Sequence, residues 1–226
     1  MIYKGSSGLK AYVGSTGVDK MYKGDVLVYS SAPIPLPYDA EVEYLETDGT
    51  AYIDTGIAPS SIRPILEVEI YRKNFTSIVY PVGSDGSGNT RFSIGIVRSA
   101  STELRIGSYK QLSAYKSQVF YKIKLNSITG QGHIDDTLVW TGTKNAATNT
   151  YPILLFTSTN STGGVRTIGA GVRIAWCKIW DNETLVADYI PVRVGQVGYF
   201  YDKVTRTLKG NAADSGAFVL GADVSS

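Results

Sequence analysis

A chain of 226 residues, 43% of them hydrophobic, can build one sizeable domain plus something small. Its 16 Tyr and 24 Gly, against only two Met, suit twisted strands and tight turns better than helices. A formal charge of +2, from 22 basic and 20 acidic groups scattered along the chain, gives no footprint for nucleic acid. No run approaches the ~20 apolar residues of a membrane span, so membrane insertion is not expected either.

Residues 1–30 read as a small β module. Tyr3-Lys4-Gly5, Tyr12-Val13-Gly14 and Tyr22-Lys23-Gly24 recur at nine- and ten-residue spacings, with polar turns between them. The spacing predicts a meander of three or four strands. Thirty residues bury too little apolar surface to stand alone, so the module is expected to dock, with Tyr3, Tyr12 and Tyr22 marking an attachment surface. The opening MIYKGSSGLK lacks the apolar core of a secretory signal, which predicts synthesis and folding in a cytoplasm. Residues 31–40 carry Pro33, Pro35 and Pro37 in alternation. They predict an extended polyproline spacer, with a PxxP ligand as the alternative.

From residue 41 to 224 short apolar runs follow one another every ten to fifteen residues, and no stretch holds helical spacing. Asp48-Gly49 predicts a hairpin turn, with Tyr52 and Ile53 starting the return strand. Leu66, Val68 and Ile70 alternate with Glu67, Glu69 and Tyr71, a strand with one wet face. Gly83 to Asn89 reads as a loop. Phe92 to Ile96, Leu104 to Ile106 and Val119 to Leu125 read as strands, and Ile134 to Trp140 as a hairpin turning at Asp135-Asp136. Tyr151 to Phe156 is a buried-type run. From Gly171 to Tyr201, Val172, Ile174, Trp176 and Trp180 share one parity, which predicts both tryptophans packed between sheets on a central strand. A turn at Asp181-Asn182 and a return strand ending at Pro191 are expected next. The fold class is all-β, an antiparallel two-sheet sandwich with a small N-terminal β module.

The chemistry candidates are few. Cys177 is the one cysteine, so no intrachain disulfide can form, and its apolar strand predicts a buried small hydrophobe. His133 is the one histidine and has no catalytic partner in sequence. Glu67 and Glu69 are spaced as glycosidase carboxylates can be, but lack a supporting shell; a solvated strand face is the expectation. Asp85, Ser87 and Asn89 alternate in a glycine loop and offer oxygens that calcium could take. The EF-hand pattern fails for want of glycine at its sixth position, so no metal is expected, and Asp85 and Asn89 stay as candidates only. Gly83-x-x-Gly86-x-Gly88 is no dinucleotide fingerprint, because no helix follows. No catalytic residue and no cofactor are expected, and no ligand-binding residue is legible.

Glu43-Tyr44-Leu45-Glu46-Thr47-Asp48-Gly49 through Tyr52-Ile53-Asp54-Thr55-Gly56, Lys178-Ile179-Trp180-Asp181, Asp188-Tyr189-Ile190-Pro191-Val192-Arg193 and Gly198-Tyr199-Phe200-Tyr201-Asp202-Lys203 carry a resemblance. So does Gly210-Asn211 to Phe218. These blocks resemble a family of phage and gut-bacterial proteins with a concanavalin A-like, laminin-G-like jelly-roll sandwich, over residues 41–222. The resemblance implies a structural virion protein of a tailed phage: a head fibre, decoration or tail-fibre component. Its partners would be capsid or tail proteins, host or mucin glycans, and copies of itself, with a trimer the first guess because phage fibres are often trimeric. A bacterial surface lectin or adhesin is the alternative, and a glycoside hydrolase resting on Glu67 and Glu69 a third.

Overall fold

The computed structural model describes residues 2–5, 8–13, 16–17, 20–23, 26–30, 35–72, 78–97, 101–113 and 118–224. The chain divides into two compact units, 1–36 and 37–226. In the first, Ile2–Gly5, Gly8–Val13 and Thr16–Gly17 form an antiparallel three-stranded sheet. Lys20–Lys23 pairs with Val26–Ser30 in a separate hairpin. Tyr3, Tyr12 and Tyr22 thus fall on three different strands; their side chains lie outside the described residues.

The second unit begins earlier than the proline spacing suggests. Asp39 N–H donates to the Arg193 carbonyl at 2.9 Å, and the Tyr38 ring sits 5.1 Å from that of Tyr201. Residues 38–40 therefore belong to the sandwich and not to the spacer. An eleven-stranded and a six-stranded antiparallel sheet make up this unit. Five long strands lie side by side in the larger sheet: Val119–Asn126, Pro64–Arg72, Arg173–Asp181, Thr184–Val194 and Val197–Asp202. The smaller sheet runs Ser108–Ser113, Ser101–Ile106, Phe92–Val97, Val79–Ser84, Leu154–Leu155, Ile53–Asp54.

Side chains two apart on a strand share a face, and that rule assembles the core. Leu66, Val68, Ile70, Ile123 and Leu125 point inward from the larger sheet. Val82, Phe92, Ile94, Leu104 and Ile106 meet them from the smaller one. Phe156 sits 4.8 Å from Phe218 and 6.0 Å from Phe200, joining the loops to this cluster. Each large side chain fully buried contributes roughly 1.5–3 kcal/mol, so the face that points inward decides the fold.

Four local expectations change. The Arg173–Asp181 strand is central, lying between Pro64–Arg72 and Thr184–Val194, but its register shifts between Ile174 and Trp176. Ile174, Cys177 and Ile179 are consequently buried together, while Trp176 and Trp180 stand half-exposed on the outer face. A bulge inserts one extra residue and reverses the parity that follows it. Burial raises the Cys177 thiol well above its ordinary value, with the Asp188 charge adding to it. Second, the return strand passes through Pro191 to Val194. The Pro191 carbonyl accepts from Val42 N–H at 3.0 Å, and an antiparallel residue aims its amide to the same side as its carbonyl. The missing donor thus faces the short Ala40–Glu41 pairing, where little is lost.

Third, Asp48-Gly49 is a turn between sheets and not a hairpin. Leu45–Thr47 pairs within the larger sheet, whereas Ile53–Asp54 joins the smaller one. The Asp48 carboxylate accepts from the Thr50 and Ala51 amides, the Thr50 hydroxyl and the Ala217 amide. The Thr50 hydroxyl first, and these amides, hold its pKa far below the usual carboxylate range, against a burial that works to raise it. Fourth, Gly83 and Ser84 extend the strand Val79–Ser84 instead of opening a loop. The hairpin turning at Asp135-Asp136 forms as read, both residues at positive φ, 47° and 63°. The ends of the sandwich close on each other: Glu43 N–H donates to the Ala222 carbonyl and Val224 N–H to the Glu41 carbonyl, both at 2.9 Å.

Gly83 has φ +139°, and a Cβ there would run into the Phe92 carbonyl and the Ser93 backbone. Gly195 has φ +59° with nothing within 4 Å. Gly83→Ala should therefore cost well over 2 kcal/mol, combining strain with a backbone clash, and Gly195→Ala about 1 kcal/mol. Urea denaturation of both variants checks this; equal effects would mean the neighbouring strand gives way at Gly83.

Candidate functional site

Thr102-Glu103-Leu104-Arg105-Ile106 alternates on one strand, so Leu104 and Ile106 enter the core while Glu103 and Arg105 face outward. Across the ladder Tyr109 lies opposite Arg105 and Gln111 opposite Glu103. On the other side Gly95 lies opposite Glu103. A Cβ on Gly95 would meet the Tyr80 ring at 2.8 Å, so the glycine makes room for Tyr80 to lie across the sheet. Ser93 and Asp85 complete this outer face.

These groups form a connected charge cluster. Asp85 is 1% exposed, and its Oδ2 lies 2.6 Å from Arg105 Nη1 and 3.1 Å from Arg166 Nη2. The Ser93 hydroxyl donates to Oδ1 at 2.7 Å. Arg105 Nε donates to Glu103, which is 4% exposed, and Nη2 donates to the Tyr80 hydroxyl. The Tyr80 ring has Arg105 4.2 Å and Arg166 4.7 Å from its centroid, close enough for strong cation–π attraction. Burial works against the Arg105 charge, but Asp85 and Glu103 more than offset it and raise its pKa. Burial likewise pushes the Tyr80 phenol up, against the pull of Arg105.

Arg166 comes from the segment after Phe156. Its Nε donates to the Thr159 carbonyl at 3.0 Å, and the Thr159 hydroxyl accepts from the Asp85 amide. Asn160 accepts from Thr162 and Gly164, which tightens that turn. Beside it opens a hollow of about 320 Å³ lined by Ile78, Tyr80, Asn160, Val165, Arg166 and Thr167. On the other side of the cluster Tyr109 is 58% exposed, its ring centroid 5.9 Å from the Arg105 guanidinium. The arrangement offers the Arg166 donors, the Asn160 amide and a ring edge to a polar ligand.

The residues singled out from sequence lie elsewhere or serve other ends. Both Asp85 oxygens are taken by Ser93 and the two arginines, and those guanidinium groups repel a cation, so Asp85 is no calcium ligand. The Asn89 side chain lies outside the described residues. Glu67 sits between Lys122 and Lys124 at 3.8 and 3.7 Å, and Glu69 accepts from the Trp176 indole at 2.8 Å. These glutamates face outward from the larger sheet and share no substrate cleft with the cluster. Asp135 and Asp136 bond the Lys122 amide and ammonium. His133 is half-buried, its Nδ1 without a partner among the described residues. Glu103 and Arg105 carried one sequence signal, the alternation that puts an acid and a base two apart on one face; Arg166 carried none.

Asp85→Ala would leave two guanidinium groups beside an empty, buried position. A broken buried pair costs about 3–5 kcal/mol, and urea denaturation should show a loss of that size. A loss under about 1 kcal/mol would mean that water already reaches the cluster.

No family model and no curated protein matches this sequence. Solved structures do. A candidate carbohydrate binding protein from Bacteroides ovatus ATCC 8483 matches over 96% of this chain and 69% of its own, with TM-score 0.54 and 13% identity. The Ruminococcus gnavus IT-sialidase CBM40 matches over 62% and 90%, at TM-score 0.43 and 16% identity. A heptameric SAP-like pentraxin from Limulus polyphemus matches over 65% and 73%, at 0.37 and 12%. At such identities the first of these likenesses is one of fold, and with the two antiparallel sheets it makes the second unit an all-β, two-sheet sandwich.

Proposed function

We propose that this chain is a non-enzymatic, glycan-binding sandwich displayed on the particle of a tailed phage, with residues 1–30 as its attachment. The observation that carries the binding half is the Asp85–Arg105–Glu103–Arg166 cluster on an outward sheet face. Three charges largely withdrawn from water, Asp85, Glu103 and Arg105, are costly to keep where a solvated face would serve the fold as well, and the half-exposed Arg166 carries the cluster to the surface. Beside them opens a hollow of about 320 Å³ that suits a sugar: hydroxyls meet the Arg166 donors and the Asn160 amide, and the ring carbons meet the edge of Tyr80. The Bacteroides ovatus neighbour, described as a candidate carbohydrate binding protein, supports this reading. Glu67 and Glu69 are each tied to a partner, which speaks for the absence of hydrolysis.

The phage half rests on the sequence resemblance and on the small N-terminal unit of edge-bearing hairpins, a form that invites strand addition to another chain. The same sandwich would serve equally on a bacterial surface, a second reading that the Bacteroides ovatus likeness favours.

Arg166 is half-exposed at the hollow, so Arg166→Ala should leave the fold intact. On a glycan array the wild type should bind a defined subset, and the variant should lose at least tenfold in affinity for it. A wild type that binds no glycan overturns the binding half. A chain starting at Tyr38 should fold yet fail to join phage particles; normal incorporation would mean that the sandwich makes the attachment.

A further inference from the structure

The larger sheet carries a second built surface, on the face opposite to its core side. The shift between Ile174 and Trp176 takes a tryptophan that strict alternation would send inward and stands it on the outer face. Its indole N–H is held by Glu69 at 2.8 Å, and the Lys178 ammonium lies 5.9 Å from its ring centroid. The ring is therefore fixed in place and not free to rotate. Bulges re-aim side chains in just this way next to binding sites.

Beside the ring runs a groove of about 390 Å³. Its apolar lining comes from Ala175, Trp176, Ile190 and Pro191. Ala175 is the smallest residue of this lining, and a side chain as long as arginine there would obstruct the groove. Glu43, Asp188, Lys178 and Lys203 supply polar lining of both signs. An aromatic plane with hydrogen-bonding groups around it matches a pyranose, whose axial C–H face stacks while its equatorial hydroxyls reach outward. Charge then narrows the class. With Glu41 and Glu69 included, four carboxylates face two ammonium groups in this lining, so sugars bearing carboxylate or sulfate are repelled.

We infer that the Trp176 groove is a second glycan site, selective for neutral oligosaccharides and independent of the Arg166 hollow. One copy of the chain then presents sugar-binding surfaces on both outer faces of its sandwich.

The test is a ¹H–¹⁵N NMR titration of the full chain with lactose, cellotetraose and chitotriose, with 3′-sialyllactose as the acidic arm. Trp176→Phe assigns the indole signal. At least one neutral sugar should shift the Trp176 Nε1–H saturably at millimolar concentration, Arg166→Ala should keep that shift, and Ala175→Arg should abolish it. No shift from any neutral sugar overturns the site. A shift from 3′-sialyllactose alone overturns the ligand class. Loss of the shift in Arg166→Ala overturns independence, and its survival in Ala175→Arg overturns the groove. Should Ala175→Arg fail to fold, Lys178→Glu, whose side chain lies at the surface, replaces it and should weaken binding at least threefold; unchanged binding there overturns the groove as well.

Discussion

The pairing of Arg173–Asp181 with Pro64–Arg72 sets the character of the larger sheet. For most of its length the register is regular, so Ile179 meets Leu66 and Cys177 meets Val68, all of them buried. At Ile174 the register slips by one residue, so Cys177 and Ile179 turn inward while Trp176 and Trp180 are both displaced outward. The sheet loses the burial of two large rings in its core. It gains two aromatic planes on a face that also carries Glu67, Glu69, Lys122, Lys124 and Lys178. A strand with perfect alternation would have sent both rings into the core and left Cys177 and Ile179 on the outer face.

The smaller sheet solves a related problem with charge. Glu103 and Arg105 alternate with Leu104 and Ile106, an ordinary pattern for a half-wet strand, yet both end up largely withdrawn from water. Two neighbours cause this. Tyr80 lies flat in the room that Gly95 leaves, and Thr159 with Arg166 covers the far side. Each charge then needs a partner, because an unpaired one would cost several kcal/mol. Asp85 answers both arginines. The cluster is neutral in sum and fully interlocked, which is why rigid polar recognition and stability rest on the same few atoms there.

How much of this can be read from the chain depends on the reach of each rule. Period-two alternation is local, so Leu66, Val68 and Ile70, the turn at Asp135-Asp136 and the buried run ending at Phe156 were legible. A bulge is decided by the partner strand, here about a hundred residues away, and the misplacement of Trp176 and Trp180 follows from that. Asp48-Gly49 announces a turn, but whether the next strand rejoins its own sheet or crosses to the other depends on Leu155 and Leu154, which Ile53 and Asp54 find as partners. Arg166 sits in an irregular segment where no periodicity operates. The acid–base alternation of Glu103 and Arg105 was visible; that the pair would be covered was not, since covering is a property of tertiary neighbours.

The closed seam between residues 39–43 and 222–224 has a mechanical meaning. Chain entry and chain exit are antiparallel neighbours, joined by a few backbone bonds to one another and to Pro191 and Arg193. Tension arriving along the chain ahead of Pro37 loads these bonds one after another, as a zipper is opened, instead of all at once in shear. The seam is thus the compliant part: it yields first and re-forms readily, while the sheets behind it, locked by their shared core, keep both outer faces in shape.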